Sequence, residues 1–478
     1  MKKSVNLPIS TSFRSSSLDS FKRMYEIEPM VLGGGAFGKV FQGHDTKNPS
    51  VKVAIKVIEK KTLGSNIDLV KSECQILRNL DHPNIINYRD VYESPTSVYI
   101  VTELCKGRDL FQIYCKKSVV MNEYDCAKLA KTLIKALIHC HSEKIVHRDL
   151  KLENIMFADE DESDFSNVKI IDFGLAAKFQ GIHSTKMSGV VGSPYFTAPE
   201  VFDDDYNESC DIWSLGVILY VLLSGDYPYT ANSVSLLKDQ IKVKEVQFPY
   251  RKWDIISESV QDLLYKMLDN FPRSRITLKE CLEHEWFKSI KNEEISKISD
   301  EEELNDVMES LQKYNSLTIL HKEAMSVFVK SLNSNELKKL EEIFSDLDED
   351  NTGMITPEEL QAGLKKLGKK TSAKEIKSII SKVDYLGNGK INYSEFLAAT
   401  VKVKDLLSEE QIATLFENFD VDGSGIITID NLKEAFSKNG KHLSEQEIDA
   451  IMKEHDLEKN GVLTYEEFRA MMLQNVDF

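Results

Sequence analysis

The sequence has few cysteines, few prolines and no long hydrophobic run. Its 478 residues include 7 cysteines and 11 prolines, and no two cysteines form a Cys-x-x-Cys pair. The cysteines are odd in number and all precede residue 282. We therefore expect neither a disulfide framework nor a cysteine-based zinc site, but buried thiols in a reducing compartment. The longest apolar stretch, residues 215–223 with one glycine, is far shorter than a membrane-spanning helix.

The chain is also poor in positive charge. Lys and Arg number 60 against 77 Asp and Glu, a formal net charge of −17, which argues against a general nucleic-acid binder. Residues 331–478 hold 18 basic and 29 acidic residues, a net charge of −11, whereas residues 1–330 hold 42 and 48, a net charge of −6. The last third of the chain is thus either a solvated acidic region or a cation-binding domain.

The start of the sequence carries no recognisable targeting signal. No secretory signal is present, and Lys2 occupies the position at which N-myristoylation requires glycine. The first cysteine is Cys74, so the preceding residues offer no palmitoylation site. We expect a cytoplasmic protein without a stable membrane anchor.

Pattern changes divide the chain into regions. Residues 1–22 are serine-rich and aperiodic, which predicts a mobile tail over residues 1–24. Residues 31–41 and 51–58 are β-rich, residues 67–80 have helical periodicity, and helical patterns dominate from residue 122 to residue 286. A small β-rich part should therefore precede a larger helical part.

An amphipathic segment follows an acidic stretch at residues 291–303. Leu304, Val307, Met308 and Leu311 fall on one face of a helix. Periodicity alone fits a surface helix packed on a neighbour as well as it fits a regulatory helix.

The C-terminal region repeats with a period of 36 residues. Asp348, Asp384, Asp420 and Asp456 each open a twelve-residue segment whose sixth residue is glycine. In an EF-hand loop, oxygen atoms from positions 1, 3, 5, 7, 9 and 12 surround Ca²⁺, and the glycine allows a sharp turn. One such segment could be a solvated acidic turn, but four at constant spacing indicate calcium-binding loops.

The four loops differ in their ligands. Leu386 removes the position-3 oxygen of the second loop, and Asn431 replaces the bidentate glutamate at position 12 of the third. We expect tight binding at the first and fourth loops and weaker or absent binding at the other two. The predicted ligands, through side chains or backbone carbonyls, are Asp348, Asp350, Thr352, Met354 and Glu359; Asp384, Asn388, Lys390 and Glu395; Asp420, Asp422, Ser424 and Ile426; and Asp456, Glu458, Asn460, Val462 and Glu467.

A second group of motifs, nearer the N-terminus, suits phosphoryl transfer. A glycine-rich turn can bring backbone amides close to phosphates. Its positions are Gly33, Gly35, Gly38 and Val40. Lys56, on a predicted strand, would meet the phosphates, and Glu73 on the next helix could hold it in place. Alone, the turn is a weak signal and the Lys56–Glu73 pair could be any surface ion pair.

The remaining catalytic motifs follow in the order that the chemistry needs. In residues 147–154, His-Arg-Asp-Leu-Lys-Leu-Glu-Asn, Asp149 would accept the proton of a substrate hydroxyl and Asn154 would hold a metal ion. Asp172, in Asp-Phe-Gly, supplies a second metal ligand, and Ala-Pro-Glu follows at residues 198–200. Because all of these motifs occur together and in this order, phosphoryl transfer explains them better than any other chemistry does.

On these motifs, residues 25–287 resemble a eukaryotic protein kinase domain, and the whole chain resembles the calcium-dependent protein kinases of plants and protists. The resemblance implies an α+β fold, in which a bilobal kinase is followed by an all-α domain of four EF-hands in two lobes. The implied boundaries are 25–287 for the kinase, 288–335 for a junction or autoinhibitory segment, and 336–401 and 402–478 for the EF-hand lobes. ATP, Mg²⁺ and Ca²⁺ are the implied cofactors.

The resemblance also assigns roles to single residues. ATP would lie beneath the glycine-rich turn, with Thr102 as gatekeeper and Glu103 at the hinge. Asp109 and Glu153 could favour basic residues near the phosphoacceptor, or could serve ribose contact and loop structure. The implied catalytic set is Lys56, Glu73, Asp149, Lys151, Asn154 and Asp172, braced by Asp211 and by a pair between Arg275 and Glu200.

Some features depart from the family pattern. Ser193 replaces the commoner threonine, a change that should hardly affect activity. Segments recognised by calcium sensors are usually basic, whereas residues 291–303 are acidic. Ser184, Thr185 and Ser188 could be phosphorylated, but surface hydroxyl residues are common, so no regulatory role is the simpler expectation.

The resulting hypothesis is a calcium-activated serine/threonine kinase that its junction segment inhibits until calcium binds. Calcium would open an apolar groove that an amphipathic helix can fill. Its expected anchors are Leu304, Met308, Leu311, Leu317, Leu320 and Phe328. The alternatives are a calcium sensor on a catalytically silent kinase scaffold and a calcium buffer. The expected partners are Ser/Thr-containing protein substrates and an intramolecular kinase–EF-hand contact, without nucleic acid, in a monomer.

Overall fold

The computed structural model describes residues 18–35, 38–63, 67–117, 119–179, 193–203, 205–290, 301–314, 318–330, 332, 334–366, 371–401, 407–438 and 441–473. Several sequence predictions lie outside these residues: the first 17 residues of the mobile tail predicted over residues 1–24, the acidic stretch over residues 291–300, Ser184, Thr185 and Ser188, and Leu317. The remainder of the predicted tail, residues 18–24, is instead a helix that buries Phe21.

The first lobe is an antiparallel sheet of five strands in the order β1-β2-β3-β5-β4. Its elements are α1 (Leu18–Met24), β1 (Tyr25–Gly35), β2 (Gly38–Asp45), β3 (Lys52–Glu59), α2 (Lys60–Leu63), α3 (Ile67–Asn79), β4 (Tyr88–Glu93) and β5 (Ser97–Glu103). The β-rich segment predicted at residues 31–41 is therefore two strands rather than one, because the glycine-rich turn reverses the chain between Gly35 and Gly38. A Cβ on Gly38 would lie 2.2 Å from the carbonyl oxygen of Val57, so a side chain there would clash with β3.

The second lobe is mainly helical and surrounds a single large core. Its central helix α5 is buried along its whole length and ends at Gly225, whose φ of +74° suits a glycine C-cap. Its elements are α4 (Glu123–Ser142), β6 (Ile145–Val146), β7 (Ile155–Phe157), β8 (Val168–Ile170), β9 (Ala177–Lys178), α5 (Ser209–Ser224), α6 (Val234–Val243), α7 (Tyr250–Trp253), α8 (Glu258–Met267), α9 (Leu278–Leu282) and α10 (Glu285–Ile290). The hairpin β7–β8 and the antiparallel pair of β6 with β9 flank the catalytic loop of residues 147–154 and the Asp-Phe-Gly segment.

The C-terminal region is a set of helix–loop–helix units. Its elements are α11 (Glu301–Lys313), α12 (Ile319–Val329), α13 (Ser334–Leu347), β10 (Met354–Ile355), α14 (Pro357–Lys366), α15 (Ala373–Val383), β11 (Ile391–Asn392), α16 (Tyr393–Thr400), α17 (Glu409–Phe419), β12 (Ile426–Ile427), α18 (Ile429–Lys438), α19 (Glu445–His455), β13 (Leu463–Thr464) and α20 (Tyr465–Leu473). Ile355 pairs with Ile391, and Ile427 pairs with Leu463, so the loops join as first with second and third with fourth. The predicted fold class, a bilobal α+β kinase followed by EF-hand lobes, is confirmed.

The amphipathic segment packs inside the EF-hand region. Leu304, Met308 and Leu311 of α11, with Leu320 and Phe328 of α12, are buried in one core with the EF-hand helices. This arrangement agrees with the interpretation of the amphipathic segment as a helix packed on a neighbouring element. The neighbouring element is the EF-hand region, which we call the calcium module.

The described residues include seven free thiols, of which Cys105 and Cys115 are only partly buried. Within the same residues, no helix is both long and apolar enough to cross a membrane.

Candidate active site and calcium loops

The lysine predicted to meet phosphates is held between two carboxylates. The Lys56 Nζ lies 2.6 Å from Glu73 Oε1 and 3.5 Å from Asp172 Oδ1. Burial disfavours the charge on Lys56, but Glu73 and Asp172 outweigh burial and raise its pKa. The structure thus brings β3, α3 and the Asp-Phe-Gly segment together around one ammonium group.

The catalytic loop gathers a second polar cluster. Lys151 Nζ donates to Asp149 Oδ2 at 2.7 Å and to Ser193 Oγ at 3.2 Å. The backbone N–H of Ser193 donates to Asp149 Oδ1 at 2.9 Å. Ser193 therefore orients Asp149 through its backbone as well as its hydroxyl, a role that sequence reasoning did not assign to it. A threonine could make the same two contacts.

The predicted metal ligands face the same cleft. Asn154 donates through Nδ2 to the carbonyl oxygen of Asp149 at 2.9 Å, which leaves its side-chain oxygen available to a cation. Burial opposes the charge of Asp172, but Lys56 and the N–H of Gly174 favour the carboxylate, so its pKa is lowered. A carboxylate and an amide oxygen are ligands that Mg²⁺ accepts, and these donors fit that ion.

The catalytic loop is anchored by one buried aspartate. Asp211 is fully buried and accepts from the backbone N–H groups of His147 and Arg148, each at 2.9 Å. Arg148 has a φ of +67°, an uncommon backbone state for a residue other than glycine. Asp211 therefore stabilises the backbone turn at the start of the catalytic loop.

The hinge and ribose candidates lie at the end of β5 and just beyond it. Glu103 uses its carboxylate to bind the backbone N–H of Asn87 at 2.6 Å and Lys169 Nζ at 2.9 Å. Its backbone N–H donates to the carbonyl oxygen of Asn87 at 3.0 Å. Asp109 accepts from the backbone N–H of Gln112 at 2.8 Å, whereas Glu153 is exposed. On the glycine-rich hairpin, Val40 pairs with Lys56 across β2 and β3.

Far from the cleft, Arg275 and Glu200 form the pair expected from the family pattern. The guanidinium donates to both carboxylate oxygens, at 2.6 and 2.9 Å, and both residues are buried. The pair joins the end of the activation segment to the helical core.

All four calcium loops share the same internal bond. The aspartate at position 1 accepts from the backbone N–H of the glycine at position 6, at 2.6–2.8 Å. Each of these glycines has a φ between +77° and +83°, in the left-handed region that glycine adopts without strain. The residues concerned are Asp348 with Gly353, Asp384 with Gly389, Asp420 with Gly425, and Asp456 with Gly461.

The position-12 residue distinguishes the third loop. In the first loop, Glu359 accepts from the backbone N–H of Asp350 at 3.0 Å and of Thr356 at 2.8 Å, so it spans the loop. Glu395 and Glu467 span the second and fourth loops in the same way. In the third loop the shorter Asn431 side chain accepts a hydrogen bond from the N–H of Thr428 at 3.2 Å.

The first loop brings three carboxylates close together. One oxygen from each of Asp348, Asp350 and Glu359 lies within 4.8 Å of the others. Burial raises the pKa of Asp348 to about 7, and its carboxylate neighbours add to the rise. A bound divalent cation would relieve this crowding of like charge, so the residues fit Ca²⁺.

The first EF-hand lobe lies against the kinase, through contacts that no sequence motif indicated. Ser394 donates to Asp81 through its backbone N–H at 2.9 Å and its hydroxyl at 2.7 Å. His139 accepts from the N–H of Asp81 at 3.1 Å, so its other nitrogen donates to the carbonyl oxygen of Thr352 at 2.8 Å. The calcium module therefore contacts α4 and the loop that follows α3.

Comparisons with known proteins match the two parts of the chain that contain these sites. The family model of the protein kinase domain matches residues 26–287, and that of the EF-hand domain pair matches residues 337–401 and 409–473. Calcium-dependent protein kinase 5 of Plasmodium berghei (strain Anka) is 36% identical over 325 residues, which cover 68% of this chain and 56% of that protein. Calcium-dependent protein kinase 4 of Arabidopsis thaliana is 38% identical over 320 residues, covering 65% and 60%. Serine/threonine-protein kinase 33 of Mus musculus is 38% identical over 263 residues, covering 54% and 53%.

Fold and site together define a protein kinase domain joined to two EF-hand pairs. The chain belongs to the protein kinase family, and within it to the calcium-dependent protein kinases. It spans a little over half the length of the curated relatives it matches, 56% and 60% for the two calcium-dependent kinases above.

Proposed function

We propose that this chain transfers the γ-phosphate of ATP to serine or threonine hydroxyls of proteins, and that calcium activates the reaction. The observation that carries the proposal is the arrangement of Asp149, Lys151 and Ser193 beside the Lys56–Glu73 pair. Phosphoryl transfer depends on positioning and charge neutralisation, and this arrangement supplies both.

Each residue has a role in this proposal. Lys56, fixed by Glu73, orients the phosphates of ATP. Backbone atoms of the glycine-rich turn and of Glu103 make further contacts with the nucleotide. Asp149 accepts a hydrogen bond from the substrate hydroxyl and orients it towards the γ-phosphate. Lys151 lies 2.7 Å from Asp149 and stabilises negative charge that develops on the transferred group. Asn154 and Asp172 would hold Mg²⁺, which supplies charge neutralisation when bound.

Calcium control is proposed for the EF-hand lobes. The buried faces of α11 and α12 pack on EF-hand helices, so a change in those helices would reach the junction. We propose that the chain is autoinhibited without calcium and that calcium binding relieves the inhibition. Exposed Glu153 favours substrates with basic residues near the phosphoacceptor. The protein would act as a cytoplasmic monomer.

Phosphate transfer to a basic Ser/Thr peptide tests the proposal. Labelled ATP is supplied with excess calcium or with chelator, and the D149N variant serves as the inactive control. We expect strong transfer only for the wild type in calcium. Absence of transfer in both conditions would favour the silent scaffold. Equal transfer in calcium and in chelator would mean that the EF-hands do not regulate the kinase.

A further inference from the structure

A histidine of the kinase lies directly against the first calcium loop. His139, on α4, is 1% exposed, and its Nδ1 lies 2.8 Å from the carbonyl oxygen of Thr352. A Cβ on Gly353 would lie 2.4 Å from the same nitrogen, so the loop backbone packs on the ring. The glycine at position 6 is therefore required here by a close approach as well as by its positive φ.

The hydrogen bonds on either side of this ring fix its tautomer. The backbone N–H of Asp81 donates to Nε2 of His139 at 3.1 Å, so Nε2 carries no proton. Nδ1 then carries the hydrogen and donates it to the carbonyl of Thr352. His82 lies beside the ring, with 5.4 Å between the two ring centroids. The kinase itself therefore holds this donor in place.

One peptide group connects the donor to a predicted calcium ligand. The carbonyl of Thr352 and the N–H of Gly353 belong to the same amide, and that N–H donates to Asp348 Oδ2 at 2.8 Å. A hydrogen bond to the carbonyl oxygen polarises an amide and strengthens the bond that its N–H donates. His139 is thus joined to Asp348 by a continuous chain of two hydrogen bonds.

This contact distinguishes the first loop from the others. Gly389, Gly425 and Gly461 donate to their position-1 aspartates in the same way. At these three glycines, however, a Cβ would meet no atom of the described residues within 4 Å. A second kinase side chain faces the first loop, since Lys279 Nζ lies 3.9 Å from Asp350 Oδ2. Both of those side chains are exposed, so this ion pair contributes little.

We infer that His139 is a positioning residue of the first calcium loop. It orients the peptide group that donates to Asp348, and so raises the calcium affinity of that loop while the calcium module is docked on the kinase. The inference rests on the proposed calcium control, and it deepens that proposal by making the kinase domain part of a calcium site. By linkage, calcium in the first loop strengthens the contact between the module and α4 by the same factor.

The test measures calcium binding rather than activity. The parent is full-length E467Q, which lacks the position-12 carboxylate of the fourth loop and so leaves the first loop as the tight site that we expect. H139Q and H139N are each added to this parent. The glutamine amide lies where Nε2 lies and can accept from Asp81, but it supplies no donor at Nδ1. The asparagine amide can donate from the position of Nδ1.

The two variants should therefore differ. We expect the calcium affinity of the first loop, measured by calorimetry, to fall about fivefold in H139Q, the effect of one hydrogen bond, and to stay near that of the parent in H139N. H442Q makes the same replacement at an exposed histidine of the second lobe and should leave the affinity unchanged. An unchanged affinity in H139Q, or an equal loss in H139N or H442Q, would overturn the inference.

Hydrogen exchange at the Asp81 amide tests the inference without changing His139, should either variant fail to fold. Calcium should slow this exchange in the wild type and in E467Q, but not in E359Q, whose first loop lacks its position-12 carboxylate. No slowing in the wild type, or equal slowing in E359Q, would contradict the role of His139.

Phosphate transfer by the wild type, measured in parallel, separates this inference from the proposed function. Calcium-dependent transfer together with an unchanged affinity in H139Q would remove only the role of His139. The expected loss of affinity in H139Q without any transfer by the wild type would remove the kinase function and leave the calcium site as described.

Discussion

Asn431 accepts from the backbone N–H of Thr428, with 3.2 Å between its Oδ1 and the nitrogen, whereas the position-12 glutamates of the other three loops also accept from the backbone N–H at position 3. The weaker calcium binding that the residue types predict for the third loop therefore has a geometric cause.

Replacing Asn431 by glutamate should raise the calcium affinity of the third loop. A carboxylate supplies two ligand oxygens and a negative charge, whereas the neutral amide supplies a single oxygen. We expect a gain of about tenfold, or ~1.4 kcal/mol, by calorimetric titration of the full chain. I429E adds the same charge at an exposed position that is not a ligand, and an equal gain there would mean that net charge alone is responsible.

The D149N variant should lose phosphate transfer while keeping nucleotide binding. The carboxylate is held by Lys151 and Ser193, and it is the group placed to accept from a substrate hydroxyl. We expect kcat to fall by about 10²–10⁴ with the dissociation constant for ATP unchanged. D161N, at an exposed position outside the cleft, should match wild type. Retention of most activity by D149N would contradict the assignment.

Loss of the Asp81 carboxylate should loosen the first EF-hand lobe from the kinase. The two bonds from Ser394 to Asp81 involve a charged acceptor, for which a net contribution of about 1.5–3 kcal/mol is typical. Hydrogen exchange at the first turn of α16 should speed up in D81N by a corresponding factor. Adding S394A to D81N should then have little further effect, and fully additive effects would show that the two residues do not act together.

The buried pair between Arg275 and Glu200 should matter for stability more than surface pairs do. Removing one partner leaves an uncompensated buried charge, so R275L should lower the free energy of unfolding of the kinase domain by about 3–5 kcal/mol. The control is K266L, which breaks the exposed pair with Asp262 and should cost about 0–1 kcal/mol. Urea denaturation followed by tryptophan fluorescence measures both, and similar losses would contradict the prediction.

Much of the kinase and of the calcium loops could be predicted because their chemistry is local in sequence. Asp348 and Gly353 are five residues apart, and their bond follows from the loop itself. Asp149, Lys151 and Asn154 lie in one short loop, so their proximity can be predicted without knowing the fold. Ser193 could be judged a mild substitution, but its bond to Asp149 bridges 44 residues and was not foreseen.

The sequence by itself therefore determined the motifs for phosphoryl transfer, the calcium loops and the pairing of the EF-hands, because each depends on residue types at fixed short spacing. Only the tertiary structure decided how catalyst and calcium module meet. Asp81 and Ser394 are 313 residues apart, and His139 and Thr352 are 213 apart. Contacts over such distances arise from the packing of whole helices, whose apolar faces show that they are buried but not which partner buries them.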